Sequence, residues 1–385
     1  MSSEIDFSTQ KPEQVRKVLP LSVPVNWEAL NLVVDRSTGT LLQKSQMRRK
    51  FLKAVRNHGI EALTPQFRYS YCCARLALGD FSSYFGWEFR DYAEGSSGEW
   101  AARLYWDETW LPKWGGGSVN RLLVLGEQGV GDQIFFASIL PEAMVRCREV
   151  IVECDRRLHD LLERSFPGLQ CRDEMPFEDR RSRYGPIDAF IPMADLMRMF
   201  RRARSHFPGK PYLKPDPRRV AGLEYLRGRT GVAWRGRQGS IRPDSLEIEN
   251  PVCLQYKERA RPGYEEPPVD LWGDFEGMTA LCSVLDRVVT VPMTIHHVAG
   301  AVGCKTQIIV PDLGGEVVNQ IRWDHPVGRL PWYADAEVFA NMKEWKNAQG
   351  KQGGPRLSGP EARRDGQGES RPHRAIEDGP SVSDR

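Results

Sequence analysis

The sequence predicts an α/β fold made of two doubly wound parallel-sheet units in tandem, and three observations carry that expectation. From Arg121 onward, short apolar runs alternate with amphipathic stretches, the pattern of strand–helix–strand units. Between Pro208 and Pro217 stand four prolines, which neither a helix interior nor a central strand accepts, and the alternation restarts beyond them. The chain has 385 residues, 40% hydrophobic and 27% charged, an ordinary globular make-up with room for about two or three domains.

Taken in order, residues 1–44 show no sustained period and are expected to be irregular. Residues 45–117 form a helical region: Phe51, Leu52, Val55, Ile60 and Leu63 recur at helical spacing, as do Tyr71, Ala74, Leu76 and Phe81, with a break at Gly79–Asp80. A first α/β unit covers 118–213. Its strands are Leu122 to Leu125, Val150 to Glu153 and Asp188 to Pro192. Its helices are Gln133 to Cys147, Arg156 to Phe166 and Leu196 to Ala203. A second unit covers 214–345, with strands Gly231 to Trp234, Val252 to Gln255, Val288 to Val291 and Gln307 to Val310, and helices Met278 to Leu285 and Ile295 to Val302. Residues 346–385 are rich in Gly, Ser, Arg, Asp and Pro, too poor in apolar side chains to offset the entropy of ordering, and are expected to be a disordered tail.

Composition narrows the function class. No run of eighteen apolar residues occurs, so no membrane span is expected. The first ten residues carry Glu4 and Asp6 in place of a basic and then apolar leader, which points to a cytoplasmic protein. The eight cysteines include no CxxC pair, so they read as reduced thiols, with no structural metal expected. Lys and Arg exceed Asp and Glu by only 54 to 51, too balanced for a general nucleic-acid binder.

Three segments stand where doubly wound proteins bind ligands, at the carboxyl ends of strands. The first is Gly126-Glu-Gln-Gly-Val-Gly-Asp132, between a strand and a helix. Its glycines let backbone approach a ligand, and the helix that follows offers N–H groups and a positive dipole end to an anion. Gln128, Gly129 and Gly131 are candidate cleft-lining residues. Asp132 has two readings, general base for an attacking hydroxyl or helix cap. The second is Thr294 to Gly303, where Thr294 can cap a helix and the small residues, Gly300 among them, leave its start open to a pyrophosphate. His297, in the first turn, is read either as a donor to a phosphate or sugar oxygen or as a satisfied histidine; His296 stands beside it. The third is Trp234-Arg-Gly-Arg237, followed by Arg242. Guanidinium forks suit phosphate, and a solvated basic loop is the alternative. Pro331-Trp-Tyr333 offers rings for a ligand or for packing, and packing is favoured for Trp332.

Seven segments, in order and in register, resemble one family. They are Leu122 to Leu140 (LLVLGEQGVGDQIFFASIL), Asp188 to Pro192, Pro211-Tyr-Leu213, Gly231-Val-Ala-Trp-Arg-Gly236, Asp270-Leu-Trp-Gly-Asp274, His297 to Gly303, and Pro331-Trp-Tyr333. The family is the glycosyltransferase domain found behind tetratricopeptide repeats in bacterial proteins, related to the family nine heptosyltransferases and distantly to the O-linked N-acetylglucosamine transferases. Arg68 to Tyr92 resembles the degenerate helix pair that precedes that domain. The resemblance implies a GT-B fold, two Rossmann-like domains facing across a cleft, with acceptor held by the first and nucleotide-sugar donor by the second. It further implies transfer without a metal or other cofactor, to an acceptor (protein, glycan or lipid-linked) that the sequence does not name, with Asp132 as the base and Arg235, Thr294, His297 and Gly300 at the donor diphosphate.

One departure stands out. Where family members carry Asp-Thr or Asp-Ser before the histidine helix, this chain has Pro292-Met293, which removes a carboxylate and a backbone N–H. An inactive nucleotide- or glycan-binding protein on the same scaffold is therefore the alternative expectation.

Overall fold

A computed structural model describes Arg49, Leu52, Lys53, Arg75, Asp80, residues 111–311 except 128, 176, 237 and 238, residues 329–339, and 341–352. The irregular 1–44 segment and nearly all of the expected helical region lie outside the described residues, as do Gln128, Arg237 and 353–385.

The first unit runs β1 (Val119–Leu125), α1 (Val130–Ala137), α2 (Leu140–Arg146), β2 (Cys147–Cys154), α3 (His159–Ser165), β3 (Leu169–Asp173), α4 (Phe177–Tyr184), β4 (Ala189–Pro192) and α5 (Leu196–Phe200). Its strands form one parallel sheet in the order β3-β2-β1-β4, with Leu122 of β1 facing Val150 of β2 on one side and Ala189 of β4 on the other. The pleat sends alternate side chains to opposite faces. Leu122 and Val124 enter the main core, whereas Leu123 and Leu125 join a smaller cluster with Leu111, Ile151 and Phe190.

The second unit runs α6 (Pro217–Leu223), β5 (Thr230–Ala233), a two-stranded ribbon of β6 (Arg235–Gly236) and β7 (Gly239–Ser240), β8 (Val252–Cys253), α7 (Phe275–Val284), β9 (Arg287–Thr290), α8 (Thr294–Val302), β10 (Lys305–Ile309), β11 (Ala336–Phe339) and α9 (Met342–Gln352). Five of its strands form a second parallel sheet, in the order β11-β10-β9-β5-β8.

Three expectations need correction. The helix expected from Gln133 to Cys147 is two helices, because Pro141 lacks the N–H a continuous helix would need and so sits in the first turn of a new one. Cys147 opens β2 instead of closing that helix. The segment assigned to the tail from residue 346 starts as helix, since α9 reaches Gln352; buried Trp345 anchors it by donating from Nε1 to Gln307 at 3.1 Å.

The inner faces of both sheets share one continuous buried cluster, from Leu122 and Ile134 to Val288 and Val298. Between the two units the chain crosses in extended form, and the amides of Tyr212 and Leu213 both donate to the carbonyl of Ala301 in α8. Cys147, Cys154, Cys171, Cys253, Cys282 and Cys304 are buried free thiols. No described helix is long and apolar enough to cross a membrane.

Candidate functional site

Both sheets reverse their winding, and the reversal points locate the site. From β1 the chain builds outward through β2 and β3, then returns to place β4 on the other side of β1; likewise β8 lies on one side of β5 and β9 to β11 on the other. Loops leaving adjacent strands toward opposite sides open a crevice at their carboxyl ends. In the first sheet these are the loops after β1 and β4, and in the second those after β5 and β9.

A buried glutamine organises each point. Gln133, in α1, donates to the carbonyl of Glu127 and to the carboxylate of Glu174, both at 2.7 Å, and accepts from the amide of Asp155 at 2.8 Å. It thus ties together the loops after β1, β2 and β3. Glu127 extends the tie by accepting from the Ala194 amide at 2.9 Å, just past β4. Buried and so engaged, Glu127 shapes the loop and does not offer its carboxylate to a ligand. In the second sheet, Gln255 accepts from the amides of Trp234 and Arg235 at 3.0 and 2.8 Å and donates to the Arg235 carbonyl at 3.1 Å. Sequence reasoning passed over both glutamines; a Gln among apolar neighbours at a strand end was the available signal.

Helix α1 begins at Val130, with Gly129 as its cap residue and no side-chain cap bond. Asp132 therefore lies inside the first turn, and the capping alternative fails in its simple form. Its carboxylate folds back toward Gly129, where a Cβ would stand 2.9 Å from Oδ2. Helix α8 begins at Thr294, but the cap residue is Met293, whose N–H donates to Nδ1 of His296 at 3.1 Å. The capping part foreseen for Thr294 passes to that backbone and imidazole.

The first turns of α1 and α8 touch. A Cβ on Gly131 would stand 3.0 Å from Cδ2 of His297 and 3.4 Å from Oγ1 of Thr294, so any larger residue would crowd this approach. The loop after β5 meets the same place, since a Cβ on Gly236 would lie 2.5 Å from the carbonyl oxygen of Pro292. Gly129, Gly131, Asp132, Met293 and Thr294 form a half-buried surface at this junction. The first N–H groups of a helix have no acceptor within it, and here two such sets and two positive dipole ends meet.

His297 does not line an open cleft. It is buried between α1 and α8, its ring 5.9 Å from that of Phe135 and 3.8 Å from that of His296, and its Nδ1 lies 2.5 Å from the hydroxyl of Tyr333. The Tyr212 hydroxyl donates to the carbonyl of Ile134 in α1 at 2.9 Å. Burial pushes the Tyr212 phenol far above its usual range. Neither tyrosine stood out in the sequence as polar machinery. Gly300 lies under the Tyr333 ring, which a Cβ would meet at 2.5 Å, so it seats that ring. Trp332 packs on Phe135 and Phe207, with centroids 5.0 and 5.8 Å away.

Two expected residues stand apart. Trp234 points to the far face of the second sheet, packed with Val289, Ile309 and Phe339, because the pleat that turns Ala233 inward turns its neighbour outward. Arg235 is 61% exposed and pairs with Glu258 at 2.9 Å, so its backbone, not its guanidinium, belongs to the crevice. In Asp270–Asp274 the last residue caps α7 by accepting from the Gly277 amide at 2.9 Å.

Side chains also bridge the two units at the rim. Arg164 pairs with Glu276, and Arg157 donates to the Trp272 carbonyl at 2.8 Å while lying over the rings of Trp272 and Phe275. The hydrogen bonds from Arg157 hold the Asp155 carboxyl below the usual carboxylate range.

No protein-family model matches the chain. A curated relative, protein FlbA of Caulobacter vibrioides, is 26% identical over 62% of this chain and 47% of its own length, so the chain spans less than half of that protein. Among solved structures, a family 9 glycosyl transferase from Veillonella parvula aligns with TM-score 0.42 at 10% identity, covering 62% of this chain and 92% of that one. The ADP-heptose lipopolysaccharide heptosyltransferase II of E. coli aligns with TM-score 0.40 at 12% identity, covering 60% and 98%.

Proposed function

We propose that the chain is a glycosyltransferase of GT-B type that moves a sugar from a nucleotide diphosphate donor to an acceptor hydroxyl, without a metal. The observation that supports this most is the meeting of two helix N-termini, each following a strand at a winding reversal, at the half-buried surface of Gly129, Gly131, Asp132 and Thr294. Two of the segments that resemble the glycosyltransferase domain, Leu122 to Leu140 and His297 to Gly303, meet there through Gly131 and His297. In this reading the acceptor oxygen attacks the anomeric carbon, its proton passes to Asp132, and the bond to the diphosphate oxygen breaks. The charge that leaves is met by the first-turn amides of α1 and α8 and by the Thr294 hydroxyl.

A second reading, an inactive binder of nucleotide or glycan, is favoured by Pro292-Met293 and by the burial of His297. One experiment separates the two. Purified protein is incubated with a panel of nucleotide sugars, and release of nucleotide diphosphate is followed beside thermal stability. Turnover that Asp132→Asn lowers by about 10²- to 10⁴-fold, with nucleotide stabilisation retained, supports transfer with Asp132 as base. Stabilisation without turnover supports the binder, and neither effect removes both.

A further inference from the structure

We propose that Tyr256, Lys257 and Trp272, at the lip of the crevice, form a platform for an uncharged pyranose ring, a further sugar of a glycan acceptor. That a sugar sits there rests on the geometry of the lip; that it belongs to the acceptor rests on the proposed function.

One connection of the second sheet carries all three residues. Tyr256 and Lys257 follow β8 and Trp272 precedes α7, so they lie at the carboxyl ends of the strands, where Arg157, which follows β2, reaches the Trp272 carbonyl from the first unit. The ring centroids of Tyr256 and Trp272 are 5.3 Å apart, and the Lys257 ammonium lies 3.9 Å from the centre of the indole. The Trp272 amide donates to the Asp270 carboxylate at 2.9 Å, so its backbone is held on both sides while the residue stays 50% exposed. Lys257 stands in the left-handed backbone region, at φ 60°, which residues with a side chain rarely hold.

What these side chains leave open defines the ligand. Among the described residues, nothing accepts from the Trp272 Nε1–H, nothing bonds the Tyr256 hydroxyl, and no carboxylate pairs with Lys257. Asp270 adds acceptor capacity beside them. Sugar hydroxyls both donate and accept, and the C–H face of a pyranose suits the electron-rich face of an aromatic ring. An ammonium on a flexible stem, held only by a ring, is free to turn to a sugar hydroxyl and yield that ring. The charges of the lip offset one another, Arg157 and Lys257 against Asp155 and Asp270, which suits a neutral ligand. The two rings are inclined by 33°, a better seat for a puckered ring than for a flat base that stacks on parallel planes.

Position along the crevice assigns the sugar to the acceptor. β8 is the second neighbour of β9, whose end leads into α8, and strands lie about 4.8 Å apart, so the lip stands about 10 Å from the meeting helix tips. That is beyond the ring that reacts at Asp132 and within reach of one linked to it.

The test is NMR of full-length protein labelled with ¹⁵N-tryptophan, with Trp272→Phe identifying the Trp272 indole signal. Maltose, cellobiose and diacetylchitobiose are titrated in turn, beside adenosine, guanosine, uridine and cytidine, and Tm is measured for every variant. At least one disaccharide should shift that signal, and the nucleosides should leave it in place. Trp272→Ala should weaken binding of that disaccharide, read from the sugar's own proton signals, by about tenfold. Lys257→Gly, which removes the ammonium and suits the left-handed backbone, should weaken it by about fivefold while Tm holds or rises. An indole signal that no disaccharide moves, or that a nucleoside moves, overturns the platform, as does disaccharide binding undiminished in both variants. Absent turnover with disaccharide binding intact removes the transferase reading, and with it the assignment to an acceptor, and leaves the platform standing.

Discussion

Gln133 and Gln255 do the same work at the two winding reversals, but they do it from different places. Gln133 sits within α1 itself, so its three hydrogen bonds fix the helix that carries Asp132 to the loops after three strands at once. Gln255 lies in a loop and ties only the outgoing end of β5; α8 is left to rest on Gly236, on Gly131 and on the imidazoles of its own first turn. The first half of the site is thus built as a rigid floor, and the second as a surface seated against it. At Pro292 and Met293, where no polar side chain stands, the Met293 N–H and the His296 ring orient the start of the helix.

The sharpest way to break this contrast is Gln133→Ala. It strips a partner from the Asp155 amide, the Glu127 carbonyl and the Glu174 carboxylate, and should cost about 3 kcal/mol in the denaturant midpoint at unchanged slope. Gln255→Ala strips a partner from the amides of Trp234 and Arg235 and from the Arg235 carbonyl, ties fewer loops together, and should cost about 2 kcal/mol. Equal losses would show that the two clamps are equivalent. Gly300→Ala drives a methyl into the Tyr333 ring and should cost about 1–2 kcal/mol while weakening the hold on His297. A loss below that range would mean that Tyr333 moves aside freely.

The smallest effect expected is that of acid on the bridge at the rim. Asp155 has its carboxyl pKa depressed in the folded state by Arg157, so the pair stabilises fully above the ordinary carboxylate value of about 4 and ceases to do so as pH falls through the lower, folded one. Arg157→Gln should then be measurably less stable than the unaltered protein at neutral pH, with the deficit shrinking as pH falls below about 4. Because the carboxylate is half-exposed, solvent screening keeps this difference small. A deficit that persists in acid would assign it to the contact of Arg157 with Trp272 instead.

Much of the scaffold was legible because buried strands of Val, Leu and Ile write a plain pattern: Leu122 to Leu125 is the buried end of β1, whose more exposed first three residues were missed, and Val288 to Val291 falls within one residue of both ends of β9. The polar strand Leu169–Asp173 and the ribbon at Arg235 and Gly236 write no such pattern, since edge and ribbon residues face water and lose their periodicity. At the site, the glycines and the pair Thr294 and His297 were legible as residue types. Which atoms they would face was not. The contacts that matter run from Gly131 in α1 to Thr294 and His297 in α8, far apart in sequence, and through two tyrosines whose hydroxyls look like packing until their partners are known. The outward turn of Trp234 was within reach of the alternation rule, which its neighbour Ala233 obeys.

The shared core of the two sheets has a mechanical consequence. Phe135 of α1 and Phe207 on one side enclose Trp332 on the other, so hinging the halves apart would wet aromatic surface of the kind that dominates a core. Melting should accordingly be a single cooperative event, with no separate transition for either half.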